Sequence, residues 1–204
     1  QNVLLEDVDR IEVISGPGGT LWGANAVNGI INIITKGAGS TQGLYVSAGY
    51  GTDLQLLAEA RYGGRLSPEL SYRVYGRTVK RKHTTLPGGQ ANSDDWAHTQ
   101  TGFDLEWVPS DADNLRIQGD FYAARETDNP AASSIDGQHV MGTWSHSFSD
   151  RSNLVLQGYA DRTWRVDIPG TISDELYTYD LDLQHHVQAG SRHLRATTMA
   201  QHPR

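Results

Sequence analysis

The 204-residue sequence contains no cysteine. This absence excludes disulfides, thiolate nucleophiles and zinc–cysteine clusters. The sequence also lacks any apolar run near the ~20 residues that a membrane-spanning helix needs. Basic residues are in the minority, with 17 Lys and Arg against 24 Asp and Glu, and the formal charge is −7. Because nucleic-acid-binding proteins usually present a basic face, we expect no nucleic-acid partner.

Two regions of the chain follow different patterns. Residues 1–36 contain two short β-branched runs, at 11–14 and 30–34, joined by a connection rich in glycine and asparagine. Runs of this kind, bounded by Gly, Pro and Asn, are typical of strands and turns. The Gly-Ala-Gly-Ser sequence that follows predicts a flexible joint at 37–41.

The remainder of the chain alternates apolar and polar residues. Leu115, Ile117 and Phe121 occupy odd positions of one segment, whereas Arg116 and Asp120 occupy even positions. Since successive side chains of a strand point to opposite faces, this period predicts strands with one apolar and one polar face. The same alternation recurs at 54–62, 70–77, 100–107, 140–148 and 177–184.

The connections between these segments alternate in length. Short ones are predicted at 66–69, 109–113, 149–152 and 189–191, and longer ones at 81–95, 128–137 and 168–174. Outer-membrane barrels have short periplasmic turns and longer outer loops. A strand over 96–108 would run ~43 Å at ~3.3 Å per residue, and a tilt of about 45° reduces this to roughly 30 Å, close to the apolar thickness of a bilayer. This pattern favours a transmembrane barrel over the alternative, a soluble antiparallel sandwich or barrel.

A continuous motif covers residues 8–36, which read VDRIEVISGPGGTLWGANAVNGIINIITK. This segment resembles the end of the plug domain of TonB-dependent outer-membrane receptors. One departure is Ser15, where the family usually has an arginine that helps to bind the plug to the barrel wall. The motif residues expected to have structural roles are Arg10, Glu12, Gly16, Pro17, Gly23, Asn25, Asn28, Gly29 and Asn32.

The resemblance implies a division of the chain. Residues 1–36 would be the C-terminal part of a small α/β plug domain, 37–41 a joint, and 42–204 the first strands of an incomplete antiparallel transmembrane β-barrel. The fold class is therefore mainly β, with roughly eight or nine barrel strands present. The chain begins without Met and finishes in a strand-like run at 193–199, so we expect both ends to be cuts in a longer polypeptide.

The resemblance also implies a function. It points to a receptor in the outer membrane of a Gram-negative bacterium that takes up a scarce nutrient, such as a ferric siderophore. Energy would come from the TonB protein, which would act through an N-terminal region that is missing here. The alternative is a passive porin or an adhesin, neither of which needs a plug.

A basic cluster at 80–83 enters the longest connection and ends in a histidine. With the tryptophan at the far end of the connection, it forms a candidate contact for a small-molecule ligand such as a metal chelate. The cluster could also contact lipopolysaccharide phosphates within the surrounding outer-membrane lipid. The alternatives are a solvated loop and a tryptophan that only anchors at the membrane interface. The candidate ligand residues are Arg81, Lys82, His83 and Trp96.

No enzyme signature is found. The glycine-rich sequence at 16–20 lacks the Gly-Lys-Ser/Thr ending of a phosphate-binding loop. His185 and His186 are adjacent, so a strand would point them to opposite faces and prevent joint chelation. Asp104 and Glu106 would face the barrel lumen or the plug, without the nucleophile and base of a catalytic set. We therefore expect no catalytic residues, no metal site and no cofactor.

Overall fold

The computed structural model describes residues 3–16, 28–127, 132–168, 172–189 and 192–203, with only the backbone described at 132, 168, 172, 189 and 192–203. The strands are β1 (Val8–Ser15), β2 (Gly29–Thr35), β3 (Gly43–Gly49), β4 (Leu54–Arg65), β5 (Leu70–Arg81), β6 (Trp96–Ser110), β7 (Asp113–Thr127), β8 (Ala132–Ser149), β9 (Ser152–Ile168), β10 (Ile172–Ala189) and β11 (Arg192–Pro203). Two 3₁₀ turns lie at Leu5–Asp7 and Ala38–Ser40. Within the described part of the chain, no helix is long and apolar enough to cross a membrane.

These strands form two antiparallel sheets. Strands β1 and β2 pair as a two-stranded sheet, and β3 to β11 form a nine-stranded sheet in which every strand pairs with its neighbour in sequence. Each short connection lets the chain reverse and pair at once, which is the simplest antiparallel arrangement. The expectation of a mainly β, antiparallel fold with eight or nine barrel strands is confirmed.

Side-chain burial in the large sheet is the reverse of that in a soluble protein. Most of the buried side chains are polar or charged, and they lie on the face that meets the 3₁₀ turns and β2. Among the described residues, the buried polar residues of the sheet are Ser71, Arg73, His98, Gln100 and Asp104, and the buried Asp7 and Thr41 lie against this face beside Arg73. Large apolar side chains are exposed on the opposite face, among them Tyr62, Val74, Trp107, Ile117, Phe121, Val140, Leu181 and Leu183. A polar interior with an apolar outer face is the arrangement of a membrane barrel.

The longer connections differ from those that the sequence predicts. The long connection between β5 and β6 is confirmed at 82–95. By contrast, residues 132–137 belong to β8 and residues 172–174 belong to β10, because their ladders with β7 and β9 continue. The 18 residues of β8 extend roughly 59 Å at ~3.3 Å per residue, which exceeds the bilayer thickness even after tilting. Polar residues in such extensions resemble a loop in sequence although the backbone still pairs.

Candidate functional site

Five charged side chains form a buried chain of alternating sign where the small sheet meets the large one. We call this group the anchor cluster. It consists of Arg61, Asp7, Arg73, Asp104 and Arg116, in the order of contact. Asp7 lies in the first 3₁₀ turn, while the other four come from β4, β5, β6 and β7. Alternation along each strand directs all four toward the same polar face.

Asp104 is the centre of the anchor cluster. Its side chain is only 1% exposed, and it accepts hydrogen bonds from arginines of both neighbouring strands. Arg73 Nη2 donates to Asp104 Oδ2 at 2.8 Å. Arg116 binds with two nitrogens, Nη2 to Oδ2 at 2.7 Å and Nε to Oδ1 at 3.0 Å. Two guanidinium groups therefore compensate one desolvated carboxylate, with the two-point geometry that arginine favours.

Asp7 links the start of the described chain to the barrel wall. Its carboxylate accepts a hydrogen bond from Arg61 Nη1, and Arg73 Nε lies 3.6 Å from its other oxygen. The side chain is 5% exposed. Its backbone carbonyl accepts a hydrogen bond from the amide of Lys36 at 2.8 Å. Residues on both sides of the β1–β2 hairpin are thus joined to each other and to β4 and β5.

The end of β2 is fixed by the same arginines. The carbonyl of Lys36 accepts from Arg73 Nη1 at 3.0 Å and from Arg116 Nη2 at 3.1 Å. Arg116 also donates to Thr35 Oγ1 at 3.0 Å. A backbone carbonyl held by two cations is strongly restrained, because charge-assisted hydrogen bonds are the stronger ones.

The 3₁₀ turn Ala38–Ser40 is held by a further carboxylate of β6. The amide of Gly39 donates to Glu106 Oε2 at 2.9 Å. A Cβ placed on Gly37 would lie 2.7 Å from Glu106 Oε2, so a larger residue there would displace the carboxylate that accepts from Gly39. The predicted joint at 37–41 is therefore tied to the barrel wall through Gly39, and also through Thr41, whose hydroxyl accepts from Arg73 Nη1 at 3.3 Å.

The plug-motif residues that are described lie in or beside the β1–β2 hairpin. Arg10 Nε donates to Glu12 Oε1 at 2.7 Å, and Asn32 Nδ2 donates to Glu12 Oε2 at 3.2 Å. The bond from Arg10, reinforced by that from Asn32, holds the pKa of Glu12 below its ordinary value. Gly16 has φ +99°, which favours glycine, and its amide bonds to the carbonyl of Asn28 at 3.2 Å.

The remaining motif residues are Gly29, Pro17, Gly23 and Asn25, of which the structure describes only Gly29. Gly29 pairs with Ser15 at the end of the hairpin, where an added Cβ would lie 2.8 Å from the carbonyl oxygen of Ile14. Pro17, Gly23 and Asn25 lie outside the described residues. The structural role of the motif as a set stays a prediction.

A second site lies at the other end of the strands. A cavity of about 470 Å³ is bounded by β6, β7, β8 and β9. Its lining includes Trp96, His98, Glu126, Arg165 and Asp167. By strand alternation these five side chains are on the lumen face. We call this cavity the outer pocket, since it adjoins the 82–95 connection. It combines an aromatic wall with charges of both signs.

The predicted ligand residues meet the outer pocket only in part. Trp96 lines it, and the guanidinium carbon of Arg81 lies 5.8 Å from the Trp96 ring centroid, within cation–π range. Among the predicted residues only Trp96 is in that lining; Arg81 lies beside the Trp96 ring at the end of β5, and Lys82 and His83 lie in the connection. His83 Nδ1 lies 3.0 Å from the carbonyl oxygen of Thr84. Among the described residues, no group of three or more His, Asp or Glu side chains could hold a metal ion.

Relatives of the chain are transport proteins and outer-membrane receptors. The chain is 50% identical over 48 residues to the vitamin B12 transporter BtuB of Vibrio vulnificus, a match that covers 24% of this chain and 8% of the transporter. It is 39% identical over 98 residues to the ferric enterobactin receptor of Pseudomonas aeruginosa, covering 45% and 12% respectively. An iron-regulated outer membrane virulence protein of Vibrio cholerae is 36% identical over 91 residues, covering 42% and 14%. No protein-family model matches the chain.

The structural comparison agrees with these relatives. A crystal structure of a point variant of the Pseudomonas aeruginosa ferric enterobactin receptor matches 91% of this chain, with a TM-score of 0.61 and 19% identity. The chain resembles TonB-dependent outer-membrane receptors. The resemblance predicted from residues 8–36 is confirmed, and the nine-stranded sheet has the fold of part of such a receptor barrel. The chain spans 33% of that crystal structure and about a tenth of the length of the relatives.

The anchor cluster is absent from the sites that the sequence predicts. Asp104 is noted there only as a lumen-facing acid, and Arg61 and Asp7 are not singled out. Asp7 and Arg61 are 54 residues apart in sequence. In sequence, Asp104 and Arg116 are not distinguished from the other charged residues of the same polar faces, such as Glu106 and Asp120. Only the strand register shows that they meet.

Proposed function

We propose that this chain is part of an outer-membrane receptor of a Gram-negative bacterium that takes up a scarce nutrient with energy supplied by TonB. Residues 1–36 would be the end of the plug, 37–41 the joint, and 42–204 the first barrel strands. The observation that carries the proposal is the anchor cluster, because it joins residues of the plug motif to the lumen face of the barrel. A passive porin or an adhesin needs no such attachment.

The cluster suits a plug that must stay attached while a ligand passes. The contacts of Asp7, Thr35 and Lys36 with the wall lie at the two ends of the β1–β2 hairpin nearest the barrel. The exposed apolar side chains of the hairpin, such as Val13 and Ile31, are suited to packing against further plug elements. Such an arrangement leaves the rest of a plug free to rearrange from a fixed base.

The outer pocket is our candidate for part of the ligand path. Trp96 offers a flat aromatic surface in its lining, and Arg81 offers a cation beside that ring; together they suit an anionic metal chelate such as a ferric siderophore. Two of the relatives are named for iron uptake or regulation and one for vitamin B12, so a bulky chelate is the substrate class we infer. We infer transport of the chelate without catalysis and without a resident cofactor.

Two macromolecular contacts follow from the proposal. TonB would act through plug segments outside this chain. Lys80 pairs with Ala97 on the outward face, whereas Arg81 pairs with Trp96 on the lumen face. Lys80 is therefore the residue of the basic cluster that is placed to meet lipopolysaccharide phosphates.

Uptake by the full-length receptor tests the proposal. A strain lacking the receptor gene would be complemented and supplied with a panel of iron chelates and vitamin B12 as sole sources. We expect one class of chelate to support growth, and deletion of tonB to abolish that growth. Growth on no member of the panel, or uptake that survives deletion of tonB, would contradict the proposal.

Two adjacent basic residues provide a matched pair for the ligand path. Arg81→Ala should reduce uptake at limiting chelate, because it removes the cation beside Trp96. Lys80→Ala removes the same charge from the outward face and should leave uptake unchanged. Equal effects of the two variants would exclude the outer pocket as part of the ligand path.

Orientation is tested by labelling from outside intact cells. No cysteine in the chain competes for reagent. Gln90→Cys lies in the 82–95 connection and should react with a membrane-impermeant maleimide. Asp150→Cys lies in the turn between β8 and β9 and should react only after the outer membrane is opened. The reverse pattern would invert the assigned orientation.

A further inference from the structure

A groove lies on the outward face of the barrel near its short-turn end. Trp107, Leu115 and Trp144 are register partners in a row across β6, β7 and β8. The two indoles form walls on either side of the leucine. With Pro109 and Asp113 they enclose a cavity of about 360 Å³. The groove faces the lipid, on the side away from the anchor cluster.

Asp113 supplies a fixed negative charge at the turn end of the groove. Its Oδ1 accepts from Trp144 Nε1 at 3.2 Å and from His146 Nδ1 at 2.8 Å, and its Oδ2 accepts from Ser110 Oγ at 3.0 Å. The carboxylate is therefore oriented by three donors and yet remains 30% exposed. Since each carboxylate oxygen has two lone pairs, Oδ2 retains room for a further donor.

The chemistry of the groove favours an ammonium group. Aromatic walls and a carboxylate are the features that recognise ligand cations, by cation–π attraction and by a charge-assisted hydrogen bond. No lysine or arginine is among the described residues that line it. A lipid headgroup that carries only negative charge would meet Asp113 with His146 as the one potential cation bonded to the carboxylate among the described residues. A headgroup with a primary ammonium would place it against Asp113, while its acyl chain follows Leu115 toward the membrane centre.

We propose that this groove binds the headgroup of phosphatidylethanolamine from the periplasmic leaflet of the outer membrane. The inference rests on the proposed function, because it needs the barrel to be in the outer membrane with its short turns on the periplasmic side. Tryptophans are common at this depth in barrels, where the ring lies beside lipid headgroups. This groove differs from an ordinary interface tryptophan because it also contains a carboxylate, that of Asp113, which accepts a hydrogen bond from Trp144.

Lipid retention by the full-length receptor tests the groove. The receptor would be equilibrated in detergent with equal amounts of phosphatidylethanolamine and phosphatidylglycerol, and bound lipid would be counted by native mass spectrometry. We expect a several-fold preference for phosphatidylethanolamine in the unmodified receptor. Asp113→Asn should abolish the preference, whereas Asp111→Asn, which removes the same charge from the adjacent exposed turn, should retain it.

A second variant keeps the test valid if Asp113→Asn assembles poorly. Trp107→Leu removes one wall of the groove and leaves all three donors to Asp113 in place, so it should reduce retention of phosphatidylethanolamine. Equal retention of both lipids by the unmodified receptor would overturn the proposal, as would unchanged preference in either groove variant. Chelate uptake, measured in parallel, separates this inference from the proposed function, because a receptor that transports normally without lipid preference refutes only the groove.

Discussion

Arg73 and Asp104 are register partners on adjacent strands, and their side chains are almost completely buried, at 4% and 1% exposure. They lie at the middle of a chain of five charges that joins the plug motif to the barrel wall. A buried ion pair is weak evidence for stability, since removing two charges from water is costly. Loss of one partner is strongly destabilising, because it leaves the other partner as a buried charge without its counter-charge.

The first prediction concerns Asp104. Asp104→Asn keeps the shape of the side chain but leaves Arg73 and Arg116 facing each other. We expect a loss of roughly 3–5 kcal/mol in the free energy of unfolding, the usual cost of breaking a buried pair. The urea midpoint of the refolded full-length receptor measures it. Asp111→Asn on the exposed turn should change that free energy by no more than about 0.5 kcal/mol. Equal midpoints for the two variants would show that the cluster is not compensating buried charge.

The second prediction concerns the approach of the joint to β4. A Cβ on Gly63 would lie 2.1 Å from the carbonyl oxygen of Thr41, a backbone atom that cannot move aside cheaply. Gly63→Ala should therefore cost about 1–3 kcal/mol or more through overpacking and should lower the amount of receptor in the outer membrane. The matched control is Gly142→Ala in β8, where nothing lies within 4 Å of the added Cβ. Normal outer-membrane levels of the Gly63 variant would mean that the joint can leave the wall.

The third prediction concerns the two faces of the sheet. Leu181 is exposed on the outward face of β10, whereas Gln118 is on the lumen face of β7. Leu181→Arg should impair assembly, because an arginine at the lipid midplane costs roughly 2–4 kcal/mol. Gln118→Arg should be tolerated. Immunoblots of outer-membrane fractions compare the two variants, and impaired assembly of both or of neither would contradict the assigned faces.

The fourth prediction concerns pH and the 82–95 connection. Thr84 donates its hydroxyl to Asp94 Oδ2 at 2.6 Å and its amide to Oδ1 at 2.7 Å. These two bonds, in that order, hold the pKa of Asp94 below its ordinary value of 3.8. Because the pKa is lower in the folded connection, this stabilisation is complete above the ordinary value and disappears as the pH falls through the lowered one.

A fluorophore attached at Gln90→Cys reports this change. Its anisotropy should be constant at neutral pH and should fall below about pH 4, as the tip of the connection becomes mobile. In an Asp94→Asn background the anisotropy should already be low at pH 7 and should change little on acidification. An identical pH profile in both backgrounds would show that Asp94 does not hold the connection.

Some residues could be assigned from sequence for a definite reason. Alternation with period two depends only on backbone geometry, so the faces of Phe121 and Asp120 follow from local sequence. The plug motif is equally local, since its turns require glycine at positions such as Gly16. The boundaries of β8 and β10 could not be assigned in this way, because residues 132–137 and 172–174 are mostly polar or small while the hydrogen-bond ladder continues through them.

The strand pattern, the polar and apolar faces and the resemblance to a receptor family follow from local sequence, since each of these depends on neighbouring residues. Which charges meet depends instead on the fold. Asp7 reaches Arg61 and Arg73, and Asp104 lies between two arginines, because strand register and the path of the joint bring together residues far apart in sequence. Electrostatic energy depends on distance in space and on burial, and neither is encoded in a local pattern.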